Sequence, residues 1–122
     1  MENKKLLVLD DDDNVRYNVK LYLEDEGYKC IGARDSESAL KIIKKEEIVL
    51  SIVDLRLPGI NGEEYIKKAA VLNPLMKFII HTGNTEYMLS PELIQLGLNG
   101  KDIFYKPVEN LDDIVGRIKQ HI

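Results

Sequence analysis

This sequence predicts an α/β fold, a five-stranded parallel sheet covered by helices on both faces. Three observations carry that expectation. Short apolar runs alternate five times with segments of helical periodicity, the pattern of repeated βα units. The apolar runs are largely unbroken by polar residues, as suits strands covered on both sides. The length, 122 residues, fits one domain over 1–122 that can bury a core without disulfides or a structural metal.

In order, "KLLVLD" (5–10) is the first strand. "NVRYNVKLYLEDEG" (14–27) spaces Val15, Val19, Tyr22 and Leu23 as a helix does and stops at Gly27. "YKCIGA" (28–33) reads as the second strand. "DSESALKIIKKEE" (35–47) reads as a helix that opens with a serine cap and buries Ala39, Leu40, Ile42 and Ile43. "IVLSIVD" (48–54) is a third strand ending in aspartate, followed by the turn "LPGING" (57–62). Asn61 and Glu64 then have capping-box spacing at the start of "NGEEYIKKAAVL", which Pro74 ends. "KFIIH" (77–81) is the fourth strand. Pro91, Gly97 and Gly100 predict a short or displaced fourth helix after an irregular lead-in. "DIFYKP" (102–107) is the fifth strand, and "LDDIVGRIKQHI" (111–122) the last amphipathic helix.

Right-handed crossovers leave few topologies for such a chain, and the flavodoxin-like order 2-1-3-4-5 is the commonest five-strand choice. Ligands then bind at the carboxyl ends of the strands, where the winding direction switches between strands one and three. Those two strands end in Asp10-Asp11 and in Asp54. The run Asp10 to Asp13 raises its own question, because two unit charges about 4 Å apart repel by roughly 1 kcal/mol even in water. A cation bound among them would turn that repulsion into affinity. Thr82 and Lys106 follow strands four and five, so five polar positions converge on one rim. Carboxylates suit Mg²⁺, while a lysine and a hydroxyl suit a phosphoryl group. Together they form a kit for phosphoryl transfer.

The bulk composition narrows the function. A formal net charge of −4 without a basic stripe speaks against nucleic acid as a direct partner. One cysteine, Cys30, allows no disulfide framework and reads as an inert core thiol. "MENKK" opens straight into a strand, without a signal peptide or membrane span, so the expectation is a cytoplasmic protein.

The blocks "VLDDDDNVR", "VDLRLPGINGEEYI", "HTG" and "YKP" resemble the four signature blocks of the two-component response-regulator receiver family. The match runs from Lys5 to Ile122, and the resemblance implies the same strand order. It implies that Asp54 is phosphorylated from the phosphohistidine of a sensor histidine kinase or phosphotransfer protein. It further implies that Asp11 binds Mg²⁺ directly and Asp10 largely through water, with Asp54 and the backbone carbonyl of Arg56 as further ligands. Thr82 then resembles the switch hydroxyl, Lys106 the lysine that pairs with phosphoryl oxygens, Pro107 the family's proline, and Gly83 the small residue that leaves the carboxylate open. The implied product is a conformational switch acting on a downstream protein or output domain, not an enzyme acting on an external substrate.

Asp13 is expected to cap the first helix and Asp12 to be a solvated neighbour. His81 is expected to be structural, His121 solvated at a frayed end, Arg56 exposed, and Asp112-Asp113 to favour the start of the last helix. The family usually has Tyr or Phe where this chain has Ile103; Tyr105 falls on the same side of the strand. Two other readings compete. "DDDNV" (11–15) fits the D-x-D-x-[TV] motif of haloacid-dehalogenase-type phosphatases, with Asp11 as nucleophile. Against it, the chain is short, Asp112-Asp113 begin a helix, and Asp54 is left unexplained. A degenerate receiver used only for docking would have lost site residues, and all are present.

Overall fold

The computed structural model describes residues 4–122. The expected leader-free opening at residues 1–3 lies outside the described residues. Five strands, β1 (Lys5–Leu9), β2 (Cys30–Ala33), β3 (Ile48–Val53), β4 (Lys77–Thr82) and β5 (Ile103–Tyr105), pair in parallel in the order β2-β1-β3-β4-β5. They alternate with α1 (Asp13–Asp25), α2 (Ser36–Lys45), α3 (Gly62–Leu72), α4 (Pro91–Gln95) and α5 (Asp112–His121). This is the predicted topology. The fifth strand is shorter than its apolar run, because Gly100–Asp102 forms a 3-10 turn before it.

The pleat of each strand sends successive side chains to opposite faces. Leu6 and Val8 of β1 pack with Val19 and Leu23 of α1 and with Ile114 and Ile118 of α5. Leu7 and Leu9 point the other way, into a core with Ala39, Tyr65, Ile66 and Leu93 of the remaining helices. Two apolar layers thus sandwich the sheet, which is why β1 carries no polar residue between Leu6 and Leu9. Truncating one such leucine to alanine costs about 2–5 kcal/mol. Ser51 is a polar exception inside β3. Its Oγ donates to Met76 Sδ at 3.3 Å, leaving the Tyr65 hydroxyl, 2.9 Å away, to donate to it.

Helix starts differ from expectation at two places. Asp12, not Asp13, caps α1, its Oδ1 accepting from the amides of Asn14 (2.9 Å) and Val15 (3.1 Å). Asp35, not a serine, caps α2 by accepting from the Ser38 amide at 2.7 Å, while the Ser36 hydroxyl donates to the Ile60 carbonyl at 2.7 Å. In both cases the residue with extended backbone just outside the helix takes the role, and an aspartate suits that position as well as a serine. Asn61 caps α3 as expected, but Glu64 does not complete the box; its carboxylate turns to Lys67 at 3.1 Å. The fourth helix is short, as Pro91 and Gly97 foretold: five residues capped by Ser90, with Gly97 at φ 104°.

His121 is not solvated. Its Nε2 lies 2.6 Å from Oδ1 of the fully buried Asp102, to which Arg117 Nε donates at 2.7 Å. A buried carboxylate ahead of β5 therefore draws the end of α5 inward.

Candidate functional site

Sheet register builds the site. Leu9 and Val53 are paired neighbours, so the residues that follow them, Asp10 and Asp54, leave the sheet side by side. Backbone bonds continue the ladder past both ends: Asp54 N–H donates to Leu9 O (2.9 Å) and Asp10 N–H to Ala33 O (3.1 Å). Thr82 pairs with Tyr105 at the ends of β4 and β5, and Lys106 N–H donates to Thr82 O at 2.7 Å. The Lys106-Pro107 bond is cis. Gly62 brings α3 against this rim; an added Cβ would fall 2.3 Å from Asp54 O, so no side chain fits there.

The predicted residues meet. Carboxylate oxygens of Asp10, Asp11 and Asp54 all lie within 4.8 Å of one another. Asp10 and Asp54 are buried and Asp11 is exposed. Lys106 Nζ sits 2.8 Å from Asp10 Oδ2 and 3.4 Å from Asp54 Oδ2. Burial, then the charge of Asp10, pushes the Asp54 carboxyl up to about 6, against the pull of Lys106. Burial works against the Lys106 ammonium, yet its bonds to the two aspartates outweigh that and raise its pKa. The Arg56 amide donates to Asp54 Oδ1 at 3.3 Å, which sets the Arg56 peptide against the carboxylate, and its side chain is exposed. Thr82 is buried, with Oγ1 accepting from the Asn84 amide at 3.1 Å. It borders a cavity of about 280 Å³ lined also by Leu55, Arg56, Glu63, Asn84 and Tyr87.

The donor set fits a hard divalent cation: three carboxylates with one side open to water. Among the described residues one lysine offsets the three converging carboxylates, so without a cation the cluster carries uncompensated negative charge.

Residues beyond the expected set complete the rim. Arg16 Nη1 donates to the Asp10 carbonyl at 2.8 Å, and its Nη2 donates to Asp13 Oδ1 at 2.6 Å. Tyr87 donates its hydroxyl to Glu63 Oε2 at 2.6 Å, and Tyr105 donates to the Tyr87 carbonyl at 3.3 Å. Asp13 and Arg16 stand at the i,i+3 spacing of neighbours on α1, a signal the sequence did offer. The Arg16–Asp10, Tyr87–Glu63 and Tyr105–Tyr87 bonds join separate segments and have none. His81 is buried, and burial followed by the charge of Lys106 lowers it to about 4, which keeps the ring neutral. That agrees with a structural role. Cys30 is buried and pushed up to about 12 by burial, so it stays a thiol.

The family model of the response regulator receiver domain matches residues 6–119. The chain belongs to the response regulator receiver family. It is 31% identical to the response regulator GtcR of Aneurinibacillus migulanus, over 98% of this chain and 48% of that protein. It therefore spans about half the length of that relative. It is 30% identical to sporulation initiation phosphotransferase F of Bacillus subtilis, over 100% of this chain and 96% of the relative. Among solved structures it is similar to the response regulator TrrA of Thermotoga maritima in complex with Mg²⁺-BeF, at 28% identity and a TM-score of 0.83, over 98% of this chain and 99% of that one. The receiver is a phosphorelay signalling domain, and the phosphatase alternative is not favoured. Asp112 and Asp113 lie in the first turn of α5, Asp112 accepting from the Tyr22 hydroxyl, so they follow no strand as that motif needs. No helix among the described residues is long and apolar enough to cross a membrane.

Proposed function

We propose that residues 1–122 form one receiver domain, acting in the cytoplasm, in which Asp54 accepts a phosphoryl group from the phosphohistidine of a kinase or phosphotransfer protein. The observation that carries this reading is the meeting of Asp10, Asp11 and Asp54 beside the Lys106 ammonium at the topological switch point. An Asp54 oxygen attacks phosphorus; the O–P bond forms as the P–N bond breaks, and the imidazole leaves with the bonding pair. Asp54 must be ionised to attack, and its proximity to Lys106 supports that form near neutral pH. As the carboxylate becomes an acyl phosphate, the Lys106 ammonium turns from Asp54 to the phosphoryl oxygens. The Thr82 hydroxyl gives up its bond from the Asn84 amide and donates to a phosphoryl oxygen instead. Mg²⁺, held by Asp10, Asp11, Asp54 and the Arg56 carbonyl, would supply positive charge against the transferring oxygens.

The chain then works as a phosphoacceptor switch, with no chemistry on an external substrate. Movement of Thr82 and Lys106 biases the loops after β4 and β5, and the face they form meets a downstream protein or output domain. A net charge of −4 supports a protein partner over nucleic acid.

Intact mass spectrometry tests the assignment. With Mg²⁺ and acetyl phosphate, the wild-type chain should gain one phosphoryl group and Asp54→Asn none. Undiminished labelling of Asp54→Asn overturns it.

A further inference from the structure

Asp13 and Arg16 take no part in the reaction above, yet they are joined to it. Arg16 stands in the first turns of α1, and its guanidinium spans two acceptors. Nη2 donates to Asp13 Oδ1 at 2.6 Å and Nη1 to the main-chain carbonyl of Asp10 at 2.8 Å. Its stem crosses β2 at Gly32, where an added Cβ would lie 3.3 Å from Arg16 Cδ. That lane along glycine is what lets a long side chain reach back to the end of β1.

The segment it grips is the one that carries the acidic pair. Asp10 N–H donates to Ala33 O at 3.1 Å, and Asp10 Oδ1 accepts from the Asp12 amide at 2.9 Å. Arg16 holds the remaining group, the Asp10 carbonyl, which lies past the end of β1. The peptide between Asp10 and Asp11 is thereby fixed in rotation. The Asp11 side chain is exposed and accepts no hydrogen bond from another described residue. With no partner among the described residues to hold the side chain, the backbone at Asp11 sets where Cβ points and which rotamers the carboxylate can reach.

We propose that Asp13 and Arg16 form a positioning clamp for the cation site, fixing the Asp10-Asp11 peptide so that the Asp11 carboxylate is presented toward Asp54. The inference rests on the metal-binding reading given under the proposed function. Mg²⁺ demands near-ideal octahedral geometry, so a ligand free to swing with its peptide binds it less well than one held. A guanidinium fork can engage two acceptors in a fixed plane, and an ammonium cannot.

Charge and positioning predict opposite signs, which makes the clamp testable. Arg16 is a cation close to a cation site, so by electrostatics alone its removal should tighten Mg²⁺ binding. A clamp predicts the reverse. The experiment is a calorimetric titration with MgCl₂, at constant ionic strength, of wild type, Arg16→Met and Arg16→Lys. Far-UV circular dichroism of the metal-free proteins reports whether each is folded. Arg16→Met keeps the stem and removes the charge; Arg16→Lys keeps the charge and removes the fork. Loss of a partner that orients a metal ligand costs about tenfold or more in affinity, and that is the weakening expected for both variants. Equal or tighter binding by a folded Arg16→Met or Arg16→Lys overturns the clamp and leaves the metal site standing. Where Arg16→Met fails to fold, Arg16→Lys decides. Wild type that shows no saturable Mg²⁺ binding overturns the metal reading itself, and the clamp with it.

Discussion

Lys106 Nζ lies 2.8 Å from Asp10 Oδ2, although β5 and β1, which these residues follow, are separated in the sheet by β3 and β4. The long lysine side chain crosses the rim to reach a carboxylate that is only 2% exposed. It also passes 3.4 Å from Asp54. One ammonium therefore serves two buried carboxylates. Lys106→Met should leave both unpaired and lower the stability of the metal-free protein by about 2 kcal/mol, less than for a fully buried pair because the lysine is partly solvated. Urea denaturation of both proteins checks it, and an unchanged midpoint would refute the pairing as a source of stability.

The pH dependence of the site follows from Asp54. Its carboxyl is pushed up from an ordinary 3.8 to about 6 in the fold, first by burial and then by Asp10. The folded protein then binds more protons than the unfolded chain between those two values. Stability contributed by this group falls as pH rises through that window, and the penalty is complete above about 6. Asp54→Asn, which stays neutral, should stabilise the metal-free protein by roughly 1–3 kcal/mol at pH 7.5. The gain should shrink toward zero as pH falls to about 4. Melting curves of the two proteins across pH 4 to 8 decide the sign; a gain that grows toward acid contradicts the raised pKa.

What the sequence disclosed, and what it did not, follows one physical division. Unbroken apolar runs fixed the strands because a strand covered on both faces leaves no place for a polar side chain, as Leu6 to Leu9 show. Strand-end positions then brought Asp10, Asp54, Thr82 and Lys106 together, since a parallel sheet places every carboxyl end on one rim. Caps were less legible. Asp12 and Asp13 are chemically identical neighbours, and only backbone dihedrals decide which of them stands outside α1. The reach of Arg16 to the Asp10 carbonyl, the Tyr87–Glu63 bond and the contact of His121 with Asp102 carry no period at all. They depend on where loops and helix ends come to rest, which sequence spacing does not encode.

Tyr87 gives the next expectation. Its hydroxyl donates to Glu63 at 2.6 Å, and its carbonyl accepts from Tyr105 at 3.3 Å, tying the loop after β4 to α3 and β5. A hydrogen bond to a charged group contributes about 1.5 kcal/mol or more when buried, and this one is half-buried. Tyr87→Phe should therefore speed amide exchange of residues 83–90 by roughly fivefold. In wild type, adding beryllofluoride with Mg²⁺ should change exchange across 83–108. Changes limited to the neighbourhood of Asp54 would count against a switch that reaches this loop.

At the opposite end of the sheet, Asp102 offers a control. It is fully buried; burial opposes its charge, but Arg117, the Asn99 amide and His121 together hold its carboxyl below the ordinary value. Such a group contributes stability that is complete above its unfolded pKa and lost as pH falls through the folded one. Asp102→Asn should cost about 2–4 kcal/mol at pH 7. Because it precedes β5, away from the carboxyl ends, phosphoryl uptake by the protein that remains folded should be unchanged. A variant that is stable but fails to label would contradict that separation.

The four consecutive aspartates supply the last test. Asp10 is buried and paired with Lys106, Asp12 caps α1, and Asp13 holds Arg16. Asp11 has no such partner among the described residues, and its oxygens converge with those of Asp10 and Asp54. A site of this kind stores repulsion when no cation is bound. Asp11→Asn should therefore stabilise the metal-free protein, because one of the converging charges is gone. The same change should abolish most of the stabilisation by Mg²⁺, because it deletes a ligand. For wild type, Mg²⁺ at about ten times its dissociation constant adds roughly 1.4 kcal/mol by mass action. For a domain of this size that is a rise in Tm of about 3 to 8 °C. Thermal melts of both proteins, with and without Mg²⁺ at constant ionic strength, measure the two effects separately. If Asp11→Asn gains as much from Mg²⁺ as wild type does, Asp11 is a solvated charge and the cation is held elsewhere.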